Sequence, residues 1–355
     1  MMLKNLKETK KLIDPFLLDF LDEEEKNFEN QELVKEAFFK IKDFVINGKT
    51  LRGSLFLLAA QSLDQTNYKK HENDLLQIAA ALELIHSGLL IHDDIIDQDE
   101  KRRGRDSVWH QYKNDASKQN YKDPKNYGQS LAICLGSITL YLAHLSLEKI
   151  AFLPEEIQKN IRQIIDQEII KTYFAEMLDS KITLQKEVPS SEEVLEMYLF
   201  KTARYTFSLP LKLACAVNNL DDSQTNNLIK IGENLGLIFQ IKDDQIGLFA
   251  TEEISGKSFA SDIREGKKTI FYLYLIEKAN NEEKQFLFEN YGQKEIDLEK
   301  IKKIQELFKK YSLIEVEILI NKLSKEAKIL IENVEHKKTA ELLTEILDFN
   351  LNREF

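Results

Sequence analysis

Residues 83–104 read ELIHSGLLIHDDIIDQDEKRRG. Leu82, Ile85, Leu89 and Leu90 recur at helical period, and Asp93 and Asp97 continue that helix one turn apart on a single face. Like charges four residues apart repel, so something positive is expected between them. Carboxylate oxygens suit a hard divalent cation such as Mg2+, which commonly binds through one or two carboxylates together with the phosphates of a substrate. Arg102 and Arg103 follow within two turns, placed to hold the other end of such an anion. A solvated, charged helix end accounts for the same stretch unless another part of the chain answers it.

The rest of the sequence favours helices. Its 355 residues include only 12 Gly and 5 Pro, amid abundant Leu, Ile, Lys, Glu and Gln. Strands in series need turns rich in Gly, Pro and Asn. The expected fold class is therefore all-α, one domain over 1–355, since no segment reads as a flexible linker. Forty-nine Lys and Arg against 60 Asp and Glu leave a net charge of −11. That argues against a nucleic-acid surface, which needs clustered cations, and makes any positive site local. The N-terminal segment lacks a long apolar run, so a cytoplasmic location is expected. Cys134 and Cys215 sit in apolar helical runs without metal-ligand spacing and are expected as reduced core residues. Ser130 to Leu147 carries no charge and is long enough to be considered a membrane span. Its Ser130, Gly136, Ser137, Thr139, His144 and Ser146, and the lack of a second such run, favour a buried helix of a bundle instead.

Helices are expected from about 6 to 46 with a break near Glu29 to Glu32, at 51–63, up to Asp97, at 129–149 and at 154–181. Another should hold Tyr198, Lys201 and Thr202, and one more should run from 225 to 249. Residues 104–128 lose apolar periodicity and read as a surface connection with one short helix.

About 150 residues after the first acidic end comes a second: Gln240-Ile-Lys-Asp243-Asp244-Gln-Ile-Gly247. In a bundle, two helices ending on one level can point carboxylates at each other across a cavity. Taking unpaired carboxylates from water costs several kcal/mol each. Mg2+ ions bridging a diphosphate would offset that cost. Lys49, Arg52, Arg102, Arg103, Lys201, Lys257 and Lys267 stand at helix starts and loops near these ends. A Lys and an Arg three apart after Gly48 can share a phosphate, assisted by helix-start N–H groups.

Five stretches in this order carry a family resemblance: GKTLR (48–52), ELIHSGLLIHDDIIDQDEKRRG (83–104), KTARYTFSLPL (201–211), GLIFQIKDDQIG (236–247) and GKSFASDIREGKKT (256–269). The chain resembles the trans-isoprenyl diphosphate synthases, or polyprenyl synthetases, most strongly over 40–280, and among them the geranylgeranyl diphosphate synthases. The resemblance implies an isoprenoid synthase fold, a single-domain bundle of long antiparallel helices around a central cavity. It implies that an allylic diphosphate ionises, that isopentenyl diphosphate attacks the cation head-to-tail, and that loss of a proton leaves a trans product five carbons longer.

The same resemblance implies the roles. Asp93, Asp97 and Asp243 would hold Mg2+, three ions in all through the diphosphate, with Asp94 and Asp244 shaping the two clusters. Arg102, Lys201 and Lys257 would hold the allylic diphosphate, and Lys49, Arg52, His86 and Arg103 that of isopentenyl diphosphate. Thr202 and Gln240 would present dipoles to the developing cation where water is excluded. Lys267 would help close the site. A homodimer is implied, with no membrane span and no nucleic acid.

The sequence departs from the family pattern at Gly247, where many relatives carry an Asp, at Ser137, where Asp is common, and at Glu176, where Gln is common. Gly88 and Leu89, five and four residues before Asp93, place no aromatic ring at the expected floor of the product channel. This predicts a product of at least twenty carbons, geranylgeranyl diphosphate first. The competing readings are a class I terpene cyclase-like enzyme and a non-catalytic, chain-length-modifying subunit.

Overall fold

The computed structural model describes residues 2–28, 31–249 and 260–353. Two compact units emerge, Met1–Gln163 with Pro210–Leu220, and Ile164–Leu209 with Asp221–Phe355. The described elements are helices apart from one two-stranded hairpin.

In the first unit, α1 (Met2–Glu25), α2 (Glu32–Ile46), α3 (Leu51–Leu63) and the short α4 (Gln65–Lys70) lead to α5 (Glu72–Ile96). Leu75, Ile78, Ala79, Ala80, Ala81, Leu82, Leu84 and Ile85 are all buried, so α5 is apolar around its whole circumference and forms the centre of the unit. Its buried Asp74 accepts backbone N–H groups from Ala151, Phe152 and Leu153 at 2.7–3.1 Å, which satisfies an otherwise costly charge.

After α5 come β1 (Lys101–Arg102) and β2 (Arg105–Asp106), antiparallel. Arg103 (φ 55°) and Gly104 (φ 74°) fill the turn, and two successive positive φ values make the tight hairpin whose twist matches its strands. Next, α6 (Val108–Lys118) precedes α7 (Pro124–Glu148), which starts on Pro124 after the Asp123 cap. The surface connection with one short helix expected over 104–128 is thus the end of the hairpin followed by α6, with α7 already begun at Pro124. Val108, Trp109, Tyr112 and Ala116 form a buried stripe too short and too sparse to stand out among the polar residues around it.

Two further expectations change. By length and composition both α5 and α7 could cross a membrane, so the run at 130–147 is not alone; α5 is largely buried, whereas less than half of the apolar window of α7 is buried. Cys215 is buried, but Cys134 is exposed.

α8 (Glu155–Leu184) passes into the second unit, followed by α9 (Ser191–Tyr198), whose N-terminus carries a reciprocal Ser190–Glu193 capping box. A π-helical segment (Leu199–Ser208) joins α9 to α10 (Leu209–Val217). Then follow α11 (Asp222–Phe249), α12 (Ser261–Glu265), α13 (Ile270–Lys278), α14 (Asn281–Asn290), α15 (Leu298–Tyr311), α16 (Leu313–Glu332) and α17 (Lys337–Leu351).

Candidate active site

The acidic end of the first unit is built by the last turn of α5 and the hairpin. Asp97 N–H bonds Asp93 O at 2.8 Å, so the two aspartates remain one helical turn apart. The hairpin returns Arg102 to them: Nε lies 2.6 Å from Asp94 Oδ1, and Nη2 lies 2.9 Å from Asp93 and 3.4 Å from Asp99. Burial opposes the guanidinium charge, but Asp94, Asp93 and Asp99 together hold it above its ordinary range. Burial lifts the Asp94 carboxyl to about 7 against the pull of Arg102. Its Oδ2 is buried with no hydrogen-bond partner. Asp99 joins this cluster without a motif that marks it, its only signal in the sequence being its place three residues before Arg102 in the same acidic run.

Arg103, next in sequence, diverges because it occupies the turn itself. Nη1 donates to Phe44 O at 2.9 Å and the guanidinium covers the Phe44 ring at 5.2 Å. Its nitrogens approach Gly48 so closely that a Cβ there would stand 3.1 Å away. Arg103 therefore meets the Gly48-to-Arg52 loop, where Lys49 is exposed and Thr50 sits at φ 51° ahead of α3. Lys10, unforeseen in the sequence, braces this loop through Ile46 O and Gly48 O, both at 2.9 Å. Burial, and then the charges of Arg52, Arg103 and Arg102, keep His86 well below its ordinary pKa and hence neutral. Arg52 and Arg103 thus lend positive charge to the surroundings of this imidazole, while Arg102 is engaged by the aspartates.

Gly88 does not present an open floor. A Cβ there would lie 2.9 Å from Gly136 O and from Leu140 Cγ, so position 88 looks into α7. The helix face that continues to Asp93 carries Leu89, half-buried, one turn earlier.

In the second unit, Gly232, Gly236, Gln240 and Asp244 recur every four residues on α11. A Cβ at Gly236 would stand 2.3 Å from Ala203 Cα, and one at Gly232 would stand 2.8 Å from Ser208 Cα. The missing side chains let α11 press against the π-helical segment. A polar chain follows from that approach. Thr202 Oγ1 donates to Gln240 Oε1 at 2.6 Å, Gln240 Nε2 donates to Asp244 Oδ1 at 2.7 Å, and Tyr198 OH donates to Asp244 Oδ2. Tyr198 in turn accepts the Ile270 N–H at 3.0 Å, tying in α13. Burial, then the nearby charge of Asp262, raises the Asp244 carboxyl well above its ordinary range.

Asp243 faces outward and meets Arg353. Lys201 Nζ lies 2.6 Å from Asp179 and 2.9 Å from Glu176, both on α8. Lys267 Nζ reaches the same Asp179 oxygen at 3.5 Å. The structure thus brings two expected phosphate-binding lysines to one carboxylate. Asp179 lies in an ordinary amphipathic helix, and no sequence pattern marked it. Arg204, also on the π-helical segment, binds Glu168 of α8 at 2.7 Å and Glu233 of α11 at 2.9 Å. Lys257 lies outside the described residues.

Among the described residues no three Asp, Glu, His or Cys side chains converge as a ready metal cage. The donor chemistry nevertheless fits Mg2+. Each acidic end offers hard carboxylate oxygens, including the unpartnered Asp94 Oδ2, with an arginine now holding part of the charge. A cation that completes its shell with phosphate and water suits such sparse carboxylates.

Residues 33–308 match the polyprenyl synthetase family, and the chain belongs to it; it is a prenyltransferase. A geranylgeranyl diphosphate synthase of Sulfolobus acidocaldarius is 30% identical over 271 residues, 76% of each chain. A farnesyl pyrophosphate synthase of Mus musculus is 27% identical over 79% of this chain and 77% of its own. Among solved structures, a geranylgeranyl pyrophosphate synthase from Corynebacterium glutamicum, complexed with isoprenyl diphosphate and magnesium, superposes with a TM-score of 0.91 at 26% identity, covering 98% of this chain and 99% of that one.

Proposed function

We propose that this chain condenses isopentenyl diphosphate with an allylic diphosphate, head-to-tail and trans, to a product of at least twenty carbons, geranylgeranyl diphosphate first. The observation that carries this is the divergence of two adjacent arginines. Arg102 turns to Asp93, Asp94 and Asp99, while Arg103 turns to the Gly48-to-Arg52 loop. An enzyme handling one diphosphate has no use for a second cationic set; one that joins two diphosphates does.

In this reading Asp93, Asp97 and Asp243 hold Mg2+, with Asp94 and Asp244 behind them. Bound Mg2+, three ions in our proposal, would draw off the leaving diphosphate as a Lewis acid. Lys201, Lys267, Lys257 and Arg102 orient the allylic diphosphate. Lys49, Arg52, Arg103 and neutral His86 orient that of isopentenyl diphosphate. Thr202 and Gln240, locked together, offer fixed oxygen dipoles to the developing allylic cation.

The farnesyl and geranylgeranyl synthases among the relatives leave product length to the channel, and our assignment rests on the absence of an aromatic ring at Leu89, the residue one turn before Asp93 on the same helix face. We also propose a cytoplasmic homodimer. Cys134, Ile138, Tyr141 and Leu145 form an exposed stripe on α7, Tyr141 at 73%, suited to a second copy of the chain.

Incubating the purified chain with isopentenyl diphosphate, each allylic starter and Mg2+, then sizing the products, tests the reading. Condensation should occur without a partner protein and drop by orders of magnitude in Asp243→Ala. No condensation would favour a non-catalytic subunit, and cyclic products without chain extension would favour a cyclase.

A further inference from the structure

The two acidic ends differ in one residue. The first carries carboxylates at 93, 94 and 97; the second carries them at 243 and 244 but has Gly247 at the equivalent third place. Glycine inside a helix is destabilising relative to alanine, so its presence two residues before the end of α11 calls for a cause. The cause lies across from it. A Cβ at 247 would stand 2.4 Å from Asp262 Oδ2, 2.7 Å from its Cγ and 2.9 Å from Oδ1. The Asp262 carboxylate fills the space in which a side chain at 247 would begin.

Asp262 is held there by its own segment. Lys267 N–H bonds Asp262 O at 3.0 Å, Gly292 N–H bonds Ile263 O at 2.9 Å, and Tyr291 OH bonds Lys267 O at 2.6 Å. Ala260 and Gly266 bracket α12 with φ values of 53° and 73°. Backbone ties on both sides thus aim one carboxylate at α11. Its charge reaches Asp244 and Tyr198.

We infer that Asp262 supplies from a separate segment the third carboxylate that the second acidic end lacks at Gly247, and that it serves Mg2+–diphosphate binding there. Gly247 is then the space that admits this carboxylate. The inference rests on the proposed function, because it assigns Asp262 to the metal–diphosphate group invoked there.

The test uses Mn2+ as a paramagnetic probe with inorganic pyrophosphate, counting bound and free Mn2+ by electron paramagnetic resonance, with thermal unfolding measured alongside. Asp262→Asn should weaken Mn2+–pyrophosphate binding about tenfold or more, as loss of a supporting carboxylate does. In metal-free protein the same variant should unfold at an unchanged or higher temperature, since it removes a charge beside Asp244. Gly247→Asp alone should also bind poorly, its side chain colliding with Asp262. The double variant Gly247→Asp/Asp262→Ala should recover binding relative to Asp262→Ala.

Unchanged Mn2+–pyrophosphate binding in Asp262→Asn overturns the inference, whatever its unfolding temperature. Weak binding accompanied by clear destabilisation, with no recovery in the double variant, also overturns it in favour of a structural role. If the parent chain shows no pyrophosphate-dependent Mn2+ binding, the functional reading itself fails, which separates the two.

Discussion

The guanidinium of Arg353 sits 2.5 Å from Asp243 Oδ1 and 4.2 Å above the ring of Phe239, one helical turn earlier on α11. The residue that sequence assigns to metal is thus paired with a cation brought back by the chain beyond α17. With Asp243 42% exposed, such a pair contributes at most about 1 kcal/mol. Arg353→Ala should therefore lower the Mg2+ concentration needed for half-maximal condensation by about two- to fivefold, the equivalent of that energy. An unchanged or higher requirement in a Mg2+ titration would show that Arg353 does not compete with the ion.

Gly236 permits the contact between α11 and the π-helical segment. Gly236→Ala should destabilise the protein by about 1–3 kcal/mol through overpacking. It should also lower kcat more than it raises KM, because Thr202 and Gln240 are positioned by the same contact. Denaturant unfolding and steady-state kinetics check the two effects separately. A fully stable, fully active variant would mean that the helices part without consequence.

Glu168 and Arg204 tie the π-helical segment to α8. Burial pushes the Glu168 carboxyl up, but the hydrogen bonds and charge of Arg204 bring it below the ordinary 4.5. The folded pKa is depressed, so the pair's contribution is present above about pH 4.5 and is lost as pH falls through the folded value. Glu168→Gln should cost stability at pH 7, by less than the about 3–5 kcal/mol typical of a broken buried pair because Arg204 keeps Glu233. The gap between variant and parent in thermal unfolding should narrow below pH 4.5. A constant gap from pH 7 to pH 3 would rule out this linkage.

Product length should respond to Leu89 and not to Gly88. Leu89→Phe places a ring one turn before Asp93 and should shorten the product by at least one five-carbon unit. Gly88→Ala should instead lower stability, since its methyl group would meet Gly136 O and Leu140. Chromatography of the dephosphorylated products distinguishes them. An unaltered product from Leu89→Phe would refute this view of the channel.

Much of the site was legible because it sits on continuous helices, where spacing translates directly into a shared face. The one-turn relation of Asp93 and Asp97 is such a case. What escaped were residues whose partners lie far along the chain. Asp179 gathers Lys201 and Lys267 from 22 and 88 residues away. The exposure of Cys134 escaped as well, because an apolar helix gives no indication of which of its faces lacks a neighbour.

The amino-acid order by itself determined the helices, the two acidic ends and the cations near them, since each depends on local period and charge. Tertiary structure alone decided which cation meets which carboxylate. It separated Arg102 from Arg103 through a turn only two residues wide, turned Gly88 into a helix contact, and seated Asp262 against Gly247. The physical reason is that a missing side chain carries no message of its own in sequence. A glycine shows its use only when the atoms that fill its space are in place.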